Sequence, residues 1–359
     1  MNAARPQNPQ QRRHLRIAAE HLAARCLVQL LCTVSILRTL LTRIVPMAGS
    51  SSWWLSLVCF MPGAAVYALL TLAMHAARQK TLTDLLRCCF GQAGAWAVTL
   101  LLAGLLLLDG TASITSLITM FTEGIGTRGT QTTMTLLTAG VLLVSLHREG
   151  LPRAVLLLRW LMLAGALLVV LSALQDVRTD GLFSLMGDGA PSIREAFRNG
   201  GSLAWPLILL LTIPEDRAAV RLRAPVPVLL MTAGVVLFLN LTIPHELLIQ
   251  QHDLAGTLLQ PTIWAAPAVR TLSQCLLMLS LFLAVAGAAQ LATDHLCAPM
   301  GTPPMWLPHA VLLVLAASQA LDISRLWRSI GLTEPWLLLP MAVLAALCVP
   351  IAWWRRKRG

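Results

Sequence analysis

Two charged side chains stand inside otherwise apolar segments of this 359-residue chain. Asp109 directly follows four consecutive leucines, and Arg38 lies in an earlier apolar stretch. A carboxylate in such a segment costs about 3 kcal/mol unless it is paired or hydrated, so Asp109 predicts a polar cavity, with Arg38 as its partner across the helix bundle. The pair is interpreted either as a ligand or proton site or as a structural ion pair. Arg38 either snorkels towards the outer face or faces an anionic ligand.

Hydroxyl and ring side chains are further candidates for the same site. Hydroxyls would hydrogen-bond a small amphipathic ligand, although in membrane spans they more often bond the backbone of their own helix. Ser113 is one such hydroxyl. The candidate ligand-binding residues are Thr33, Ser35, Arg38, Asp109, Thr111, Ser202 and Trp205.

The sequence contains no pattern that predicts catalysis or a bound metal. G-x-x-x-x-G-K-[ST], H-E-x-x-H and G-x-S-x-G are all absent. His245, Glu246, His252 and Asp253 alternate, but their spacing is not a metal-ligand pattern, and a hydrated loop is the better interpretation. The eight cysteines lie in or beside apolar runs without a C-x-x-C pair, which indicates buried free thiols. We expect neither an enzyme nor a resident cofactor.

The elements that carry the candidate residues are predicted to be membrane-spanning helices. Apolar residues make up 57% of the chain and charged residues 12%, far from the average of soluble proteins. A helix needs about 20 mainly apolar residues to cross the hydrocarbon core. We find ten such stretches, so the predicted fold class is all-α and integral to the membrane. The stretches are 24–45, 53–76, 93–118, 130–147, 152–174, 201–214, 225–248, 267–292, 304–321 and 334–354.

The basic residues indicate membrane topology rather than a nucleic-acid partner. The formal net charge is +11, but Lys and Arg are spread over the predicted loops on one side and the two tails. The positive-inside rule then places both termini in the cytoplasm. We predict a basic tail without helical character at 1–22, a transmembrane permease-like domain at 23–354 and a second basic tail at 355–359.

Ten helices suit a five-plus-five inverted repeat, in which helices one and six are broken and their exposed ends bind substrate. Span six fits this plan, because the N-G-G-S sequence at 199–202 precedes it and Pro206 removes a backbone donor inside it. Some carbonyls there must find other partners. Span one fits poorly, since no glycine precedes Gly49 and Pro46 is its only interruption.

The connections between the spans carry weaker signals. Residues 79–90 are predicted to form an amphipathic helix at the membrane interface, with Thr81 or Thr83 as its cap and Gly91 as its stop. Residues 175–200 are interpreted as the longest polar connection.

The order of short motifs resembles the membrane B subunit of GerA-type nutrient germinant receptors of endospore-forming bacteria. Each motif alone is weak, but seven in the right order are fairly specific. They are G-S-S-S-W at 49–53, T-L-T-D-L-L at 81–86 with F-G at 90–91, G-L at 150–151 with Arg153, L-F-S-L-M-G-D-G at 182–189, I-P-E-D at 213–216, Q-P-T-I at 260–263 and the basic C-terminal tail. The acidic residues at 215–216 are expected to pair with Arg217 or Arg221.

The resemblance implies a ten-helix fold of the amino acid–polyamine–organocation superfamily in the spore inner membrane. It also implies A and C receptor subunits as partners, a small amino-acid-like nutrient as ligand, and no enzymatic activity. Two other functions stay open. One is an amino acid or cation permease of the same fold, and the other is a diverged structural subunit that binds no ligand.

Overall fold

The computed structural model describes residues 9–125, 150–173, 189–200, 203–215, 217–242, 267–297, 304, 306–320 and 335–358. Within these ranges the chain is helical and contains no β-strand, which confirms the all-α prediction. The α-helices are α1 (Pro9–Thr39), α2 (Val45–Ala48), α3 (Ser52–Ala76), α4 (Leu82–Ile125), α5 (Gly150–Ala173), α6 (Ala190–Gly200), α7 (Ala218–Arg223), α8 (Val226–Thr242), α9 (Pro267–Cys297), α10 (Leu307–Ala320) and α11 (Pro335–Arg358). A π-helical turn covers Leu40–Ile44, and 3₁₀ helices cover Gly49–Ser51 and Trp205–Thr212.

The helices are long and apolar enough to make this a multi-pass membrane protein. Among the described residues, five helical stretches can each cross a bilayer, and a shorter apolar helix covers Leu339–Arg355. Helical structure lies at nine of the ten predicted spans, and the remaining one, 130–147, lies outside the described residues. The five stretches are Ala18–Ala76, Leu82–Ile118, Gly150–Ser172, Ala218–Thr242 and Thr271–Cys297.

Helix one changes its geometry before it ends. The first stretch, Ala18–Ala76, has 59 residues and therefore contains two crossings, with Gly49 (φ 51°, ψ −126°) at the turn between them. The π-helical turn precedes Pro46, which has no N–H to donate and whose ring clashes with the carbonyl four residues back in a regular helix. Pro46 was the predicted interruption, whereas the π turn was not predicted.

Helical structure begins earlier than predicted. Helix α1 begins at Pro9, so the expectation of no helical character in 1–22 is wrong from that residue onwards.

The short amphipathic helix predicted before span three is present. Thr81 is its cap, since its Oγ1 accepts the N–H of Asp84 at 3.2 Å and donates to Asp84 Oδ2 at 2.6 Å. Its predicted apolar face packs on the core through Leu82, Leu85 and Leu86, which are at most 1% exposed. This short helix is the first part of α4.

Gly91 separates this short helix from the rest of α4. Its backbone (φ 75°, ψ −174°) lies in a region that is essentially restricted to glycine. We expect Gly91→Ala to lower the free energy of unfolding by about 1–3 kcal/mol for this backbone reason alone, because no atom lies within 4 Å of the added Cβ. Thermal unfolding in detergent measures the effect. Gly104→Ala, in the same helix and with equally open surroundings, is the control and should be neutral or stabilising. Equal stability of the two variants would contradict the prediction.

Helix six is broken, as predicted. Helix α6 ends at Gly200, Leu203 and Ala204 form a turn, and a 3₁₀ helix covers Trp205–Thr212. An eight-residue 3₁₀ helix is unusually long, and such stretches often mark hinges. The predicted polar connection 175–200 contains a helix at 190–200, which leads into the break.

The broken helix lies in the centre of the bundle. Every residue from Trp205 to Leu211 is buried, so this 3₁₀ helix is enclosed by protein on all sides. It packs against α1 and α3, while α6 packs against the π turn, α2 and α3. The most extensive contact between two helices is that of α4 with α9. Helices α1 and α3 and the 3₁₀ helix therefore meet around one interior region.

Candidate functional site

An ion pair joins helix α1 to helix α4 in the interior. Arg38 Nη2 lies 2.5 Å from Asp109 Oδ1, and Arg38 Nη1 donates to the main-chain oxygen of Asp109 at 2.8 Å. The side chains of Arg38 and Asp109 are 12% and 4% exposed, respectively. The prediction that Arg38 is the partner of Asp109 across the bundle is confirmed.

Two serines complete the cluster. Ser35 Oγ donates to Asp109 Oδ1 at 2.6 Å, and Ser113 Oγ accepts from Arg38 Nη1 at 2.9 Å. The sequence spacing explains this arrangement, because residues three or four apart lie on one face of a helix. Ser35 and Arg38 share a face of α1, and Asp109 and Ser113 share a face of α4. We call these four residues the polar cluster.

Among the residues that the structure describes, only one oxygen of the Asp109 carboxylate is hydrogen-bonded. Both side-chain hydrogen bonds of Asp109 among the described residues fall on Oδ1. A buried ion pair is stable only if its geometry is good and its remaining polar atoms find partners. The guanidinium of Arg38 donates three hydrogen bonds, two to Asp109 and one to Ser113. Oδ2 of Asp109 accepts none of them, and it is therefore the oxygen that an additional cationic group would contact.

The other predicted site residues do not join this cluster through any described contact. Thr33 Oγ1 donates to Gln29 O at 2.8 Å, and Thr111 Oγ1 donates to Leu107 O at 2.9 Å, so each bonds its own helix backbone. Trp205 is 7% exposed and packs in the apolar core at the start of the 3₁₀ helix. Ser202 lies outside the described residues.

One contact to the broken helix was missed by the sequence analysis. Cys32 Sγ donates to the main-chain oxygen of Pro206 at 3.0 Å, linking α1 to the 3₁₀ helix. The sequence predicted that carbonyls around Pro206 need other hydrogen-bond partners, since they lack their usual helical donors. It did not identify Cys32 as the donor, although Cys32 lies three residues before Ser35 and therefore near the same face of α1.

A second ion pair lies at the end of the bundle that contains residues 77–81. The carboxylate of Glu215 pairs with Arg25 of α1. Arg217 contributes its backbone N–H to Glu215 Oε1 at 3.2 Å, and the guanidinium of Arg221 donates to the main-chain oxygen of Glu215. The expectation that Arg217 or Arg221 is the charge partner is therefore wrong for Glu215, and Asp216 lies outside the described residues.

The described residues include no group of three or more His, Cys, Asp or Glu side chains placed to hold a metal ion. The amino-acid sequence matches no protein-family model. It also matches no curated protein.

The fold is similar to that of a manganese transporter from Eremococcus coleocola. The transporter in complex with an aromatic bis-isothiourea substituted compound gives a TM-score of 0.55 at 10% identity, covering 92% of this chain and 77% of that chain. Two single-residue variants of the same transporter give TM-scores of 0.56 and 0.54 at 11% identity with the same coverage. Identity this low shows the fold alone. The chain therefore has a transporter-like membrane fold.

Proposed function

We propose that the chain is the membrane subunit of a spore nutrient-germinant receptor, which senses a small amino-acid-like nutrient inside a transporter-like bundle. The observation that carries this proposal is the buried pair of Arg38 and Asp109 between helices α1 and α4. A zwitterionic nutrient has the same two charges as this pair. Its carboxylate would be held by the guanidinium and its ammonium by the carboxylate.

The proposed binding step is an exchange of partners. The nutrient ammonium would approach Oδ2 of Asp109, and the nutrient carboxylate would replace Asp109 at one nitrogen of Arg38. Ser35 and Ser113 would supply hydroxyls to the same two groups. No buried charge would be left unpaired during the exchange, which keeps the desolvation cost low. A bare divalent cation would gain less here, because Arg38 repels it.

The position next to the broken helix six supports a sensor. Helix α1 carries the polar cluster and, through Cys32, a hydrogen bond to Pro206. A ligand that changes the pairing of Arg38 would therefore bias the 3₁₀ helix beside it. The resemblance supplies A and C receptor subunits as partners and the spore inner membrane as location, with the cell membrane as the alternative. The positive-inside rule predicts that both termini lie in the cytoplasm.

An amino acid permease is the second candidate. It is favoured by the fold shared with the manganese transporter and by the broken helix six. Against it, helix one stays α-helical through the level of the polar cluster, whereas alternating access normally uses breaks in both helices. Uptake of labelled amino acids into proteoliposomes separates a permease from a sensor.

The sensor proposal predicts the behaviour of Asp109→Asn in spores. We expect this variant to raise the nutrient concentration for half-maximal dipicolinate release by at least about tenfold, because a charged hydrogen bond to the nutrient is lost. The measurement is dipicolinate release from spores lacking the chain and complemented with each variant, across amino acids, nucleosides and sugars. Immunoblotting of the spore membrane verifies equal amounts of protein.

Glu20→Gln is the matched control, since it neutralises a carboxylate near the predicted cytoplasmic end, 3.5 Å from Arg153. This variant should respond like the wild type. An unchanged response of Asp109→Asn to the nutrient that the wild type senses would refute ligand binding at the cluster and favour the structural subunit.

A further inference from the structure

Two helices that are far apart in the sequence bring three thiols together. Helix α11 packs against α3 and also against α4, and Cys348 of α11 lies beside Cys88 and Cys89 of α4. A side-chain hydrogen bond joins the thiols of Cys89 and Cys348. All three cysteines are free thiols in this structure. We propose that Cys89 and Cys348 form a reversible oxidation site, at which hydrogen peroxide converts the two thiols into a disulfide.

The packing of two helices, rather than a single contact, places the thiols. Cys348 and Arg355 are seven residues apart, so they lie two turns apart on one face of α11. Arg355 Nη1 donates to Cys88 Sγ at 3.7 Å, while Cys348 contacts Cys89. The same face of α11 therefore touches the short helix 82–90 through both of its cysteines, and this packing holds the thiols of Cys89 and Cys348 together.

Burial gives the two sulfurs different roles. Cys348 is fully buried, whereas Cys89 is half-buried, which differs from the expectation of buried thiols. Hydrogen peroxide dissolved in water therefore reaches Cys89 first. Cys348 then attacks the oxidised sulfur from inside the protein, where bulky soluble thiols do not compete. This order favours an internal disulfide over a mixed disulfide with a soluble thiol.

The oxidation balances with hydrogen peroxide as the electron acceptor. The sulfur of Cys89 attacks one peroxide oxygen, so an S–O bond forms, the O–O bond breaks, and the departing hydroxide takes the thiol proton to become water. The sulfur of Cys348 then attacks the sulfenic sulfur, so the S–S bond forms and the S–O bond breaks. The second hydroxide leaves as water with the proton of Cys348. The two thiols lose two electrons and two protons, and the peroxide becomes two molecules of water.

Cys88 is the competitor for the same bridge. Adjacent residues of a helix point about 100° apart, so Cys88 and Cys89 cannot face Cys348 equally. The described contact of Cys88 is with the guanidinium of Arg355, and that of Cys89 is with the thiol of Cys348. The geometry therefore selects Cys89 as the bridging residue.

The position of the site makes the bridge reversible. The short helix 82–90 and the basic C-terminal tail are both predicted to lie on the cytoplasmic side, where thiols are kept reduced. The two free thiols are the resting state there, and soluble dithiols reopen the bridge by thiol–disulfide exchange. While closed, the bridge would join α11 covalently to the short helix, which Gly91 separates from the rest of α4.

The test is independent of the proposed sensor function, because it uses the full chain in membranes and detects the bridge directly. Membranes are treated with hydrogen peroxide, the remaining thiols are blocked with N-ethylmaleimide, and tryptic peptides are identified by mass spectrometry. We expect a cross-linked pair of peptides, one with residues 88–89 and the other with Cys348. Dithiothreitol should separate the pair.

Three variants identify the bridging residues. Cys89→Ala and Cys348→Ala should each abolish the cross-linked pair, whereas Cys88→Ala, the matched neighbour, should retain it. Cys88 and Cys89 are both half-buried, so neither replacement removes a core side chain, and gel filtration in detergent verifies the folding of all three variants. Absence of the cross-linked pair from the oxidised wild type would overturn the proposal. Retention of the pair in Cys89→Ala, or its loss in Cys88→Ala, would overturn the assignment to Cys89.

Discussion

Replacing one member of the Arg38–Asp109 pair is expected to destabilise the protein far more than replacing both. Asp109→Leu leaves the guanidinium buried without its counter-charge, and Arg38→Met leaves the carboxylate in the same state. Each single variant should lower the free energy of unfolding by about 3–5 kcal/mol. The double variant should recover most of this loss, because two apolar side chains need no partners in the interior.

The measurement is the unfolding midpoint of the four proteins in one detergent, together with nutrient response in spores. The double variant is the informative protein, since it should fold and yet fail to respond. A stable double variant that still responds would remove the pair from ligand binding. Single variants as stable as the wild type would show instead that water or another residue compensates for the lost charge.

Gly63→Leu is expected to disrupt the contact between helix α3 and the break in helix six. A Cβ at Gly63 would lie 2.4 Å from Ala204 Cβ and 2.8 Å from the carbonyl carbon of the same residue. Neither neighbour is the flexible end of a side chain, so one of the two helices must move. We expect a loss of about 3 kcal/mol in the free energy of unfolding.

Gly234→Leu makes the same change in helix α8, where no atom lies within 4 Å of the added Cβ. This control should be neutral or gain up to about 1 kcal/mol from higher helix propensity. Combining Gly63→Leu with Ala204→Gly should rescue part of the loss, because it removes the nearest atom but not the carbonyl. Equal unfolding midpoints for the two leucine variants would contradict close packing at the break.

The polar cluster was predictable in part, because few side chains in the predicted spans can neutralise a buried carboxylate. A carboxylate among leucines needs a partner, and Arg38 is the basic residue of span one that lies deepest. Thr81 and Gly91 were predictable for a similar reason, since a cap and a stop depend on local backbone chemistry. Ligand binding by Ser35 stays a prediction, and within the described structure its hydroxyl donates to Asp109.

The remaining features depend on contacts that sequence spacing does not encode. Glu215 pairs with Arg25, which lies 190 residues away, in preference to the nearer arginines. The break in span six was predicted, but the 3₁₀ geometry of Trp205–Thr212 was not, because seven consecutive apolar residues fit either kind of helix. Charged residues in 190–200 predict a polar connection, and they do not reveal that Ala196 is fully buried or that Gly200 packs tightly in the bundle.

The π turn in helix one has a consequence for the alignment of its buried side chains. Ile36, Leu40, Ile44 and Ala48 recur every four residues and are at most 1% exposed. In a regular α-helix, four residues rotate about 40° beyond a full turn. Side chains spaced four residues apart would therefore turn progressively away from the helix against which they pack. The wider turn corrects this phase and keeps Ile44 against Gly200.

A return of that turn to regular α-helix would rotate one half of helix one against the other by about 100°, the angle of a single residue. Arg38 belongs to the half before the turn, and the residues that touch helix α6 lie in the turn itself and after it. A change in the turn would therefore reorient the charged half relative to the segment that touches helix α6.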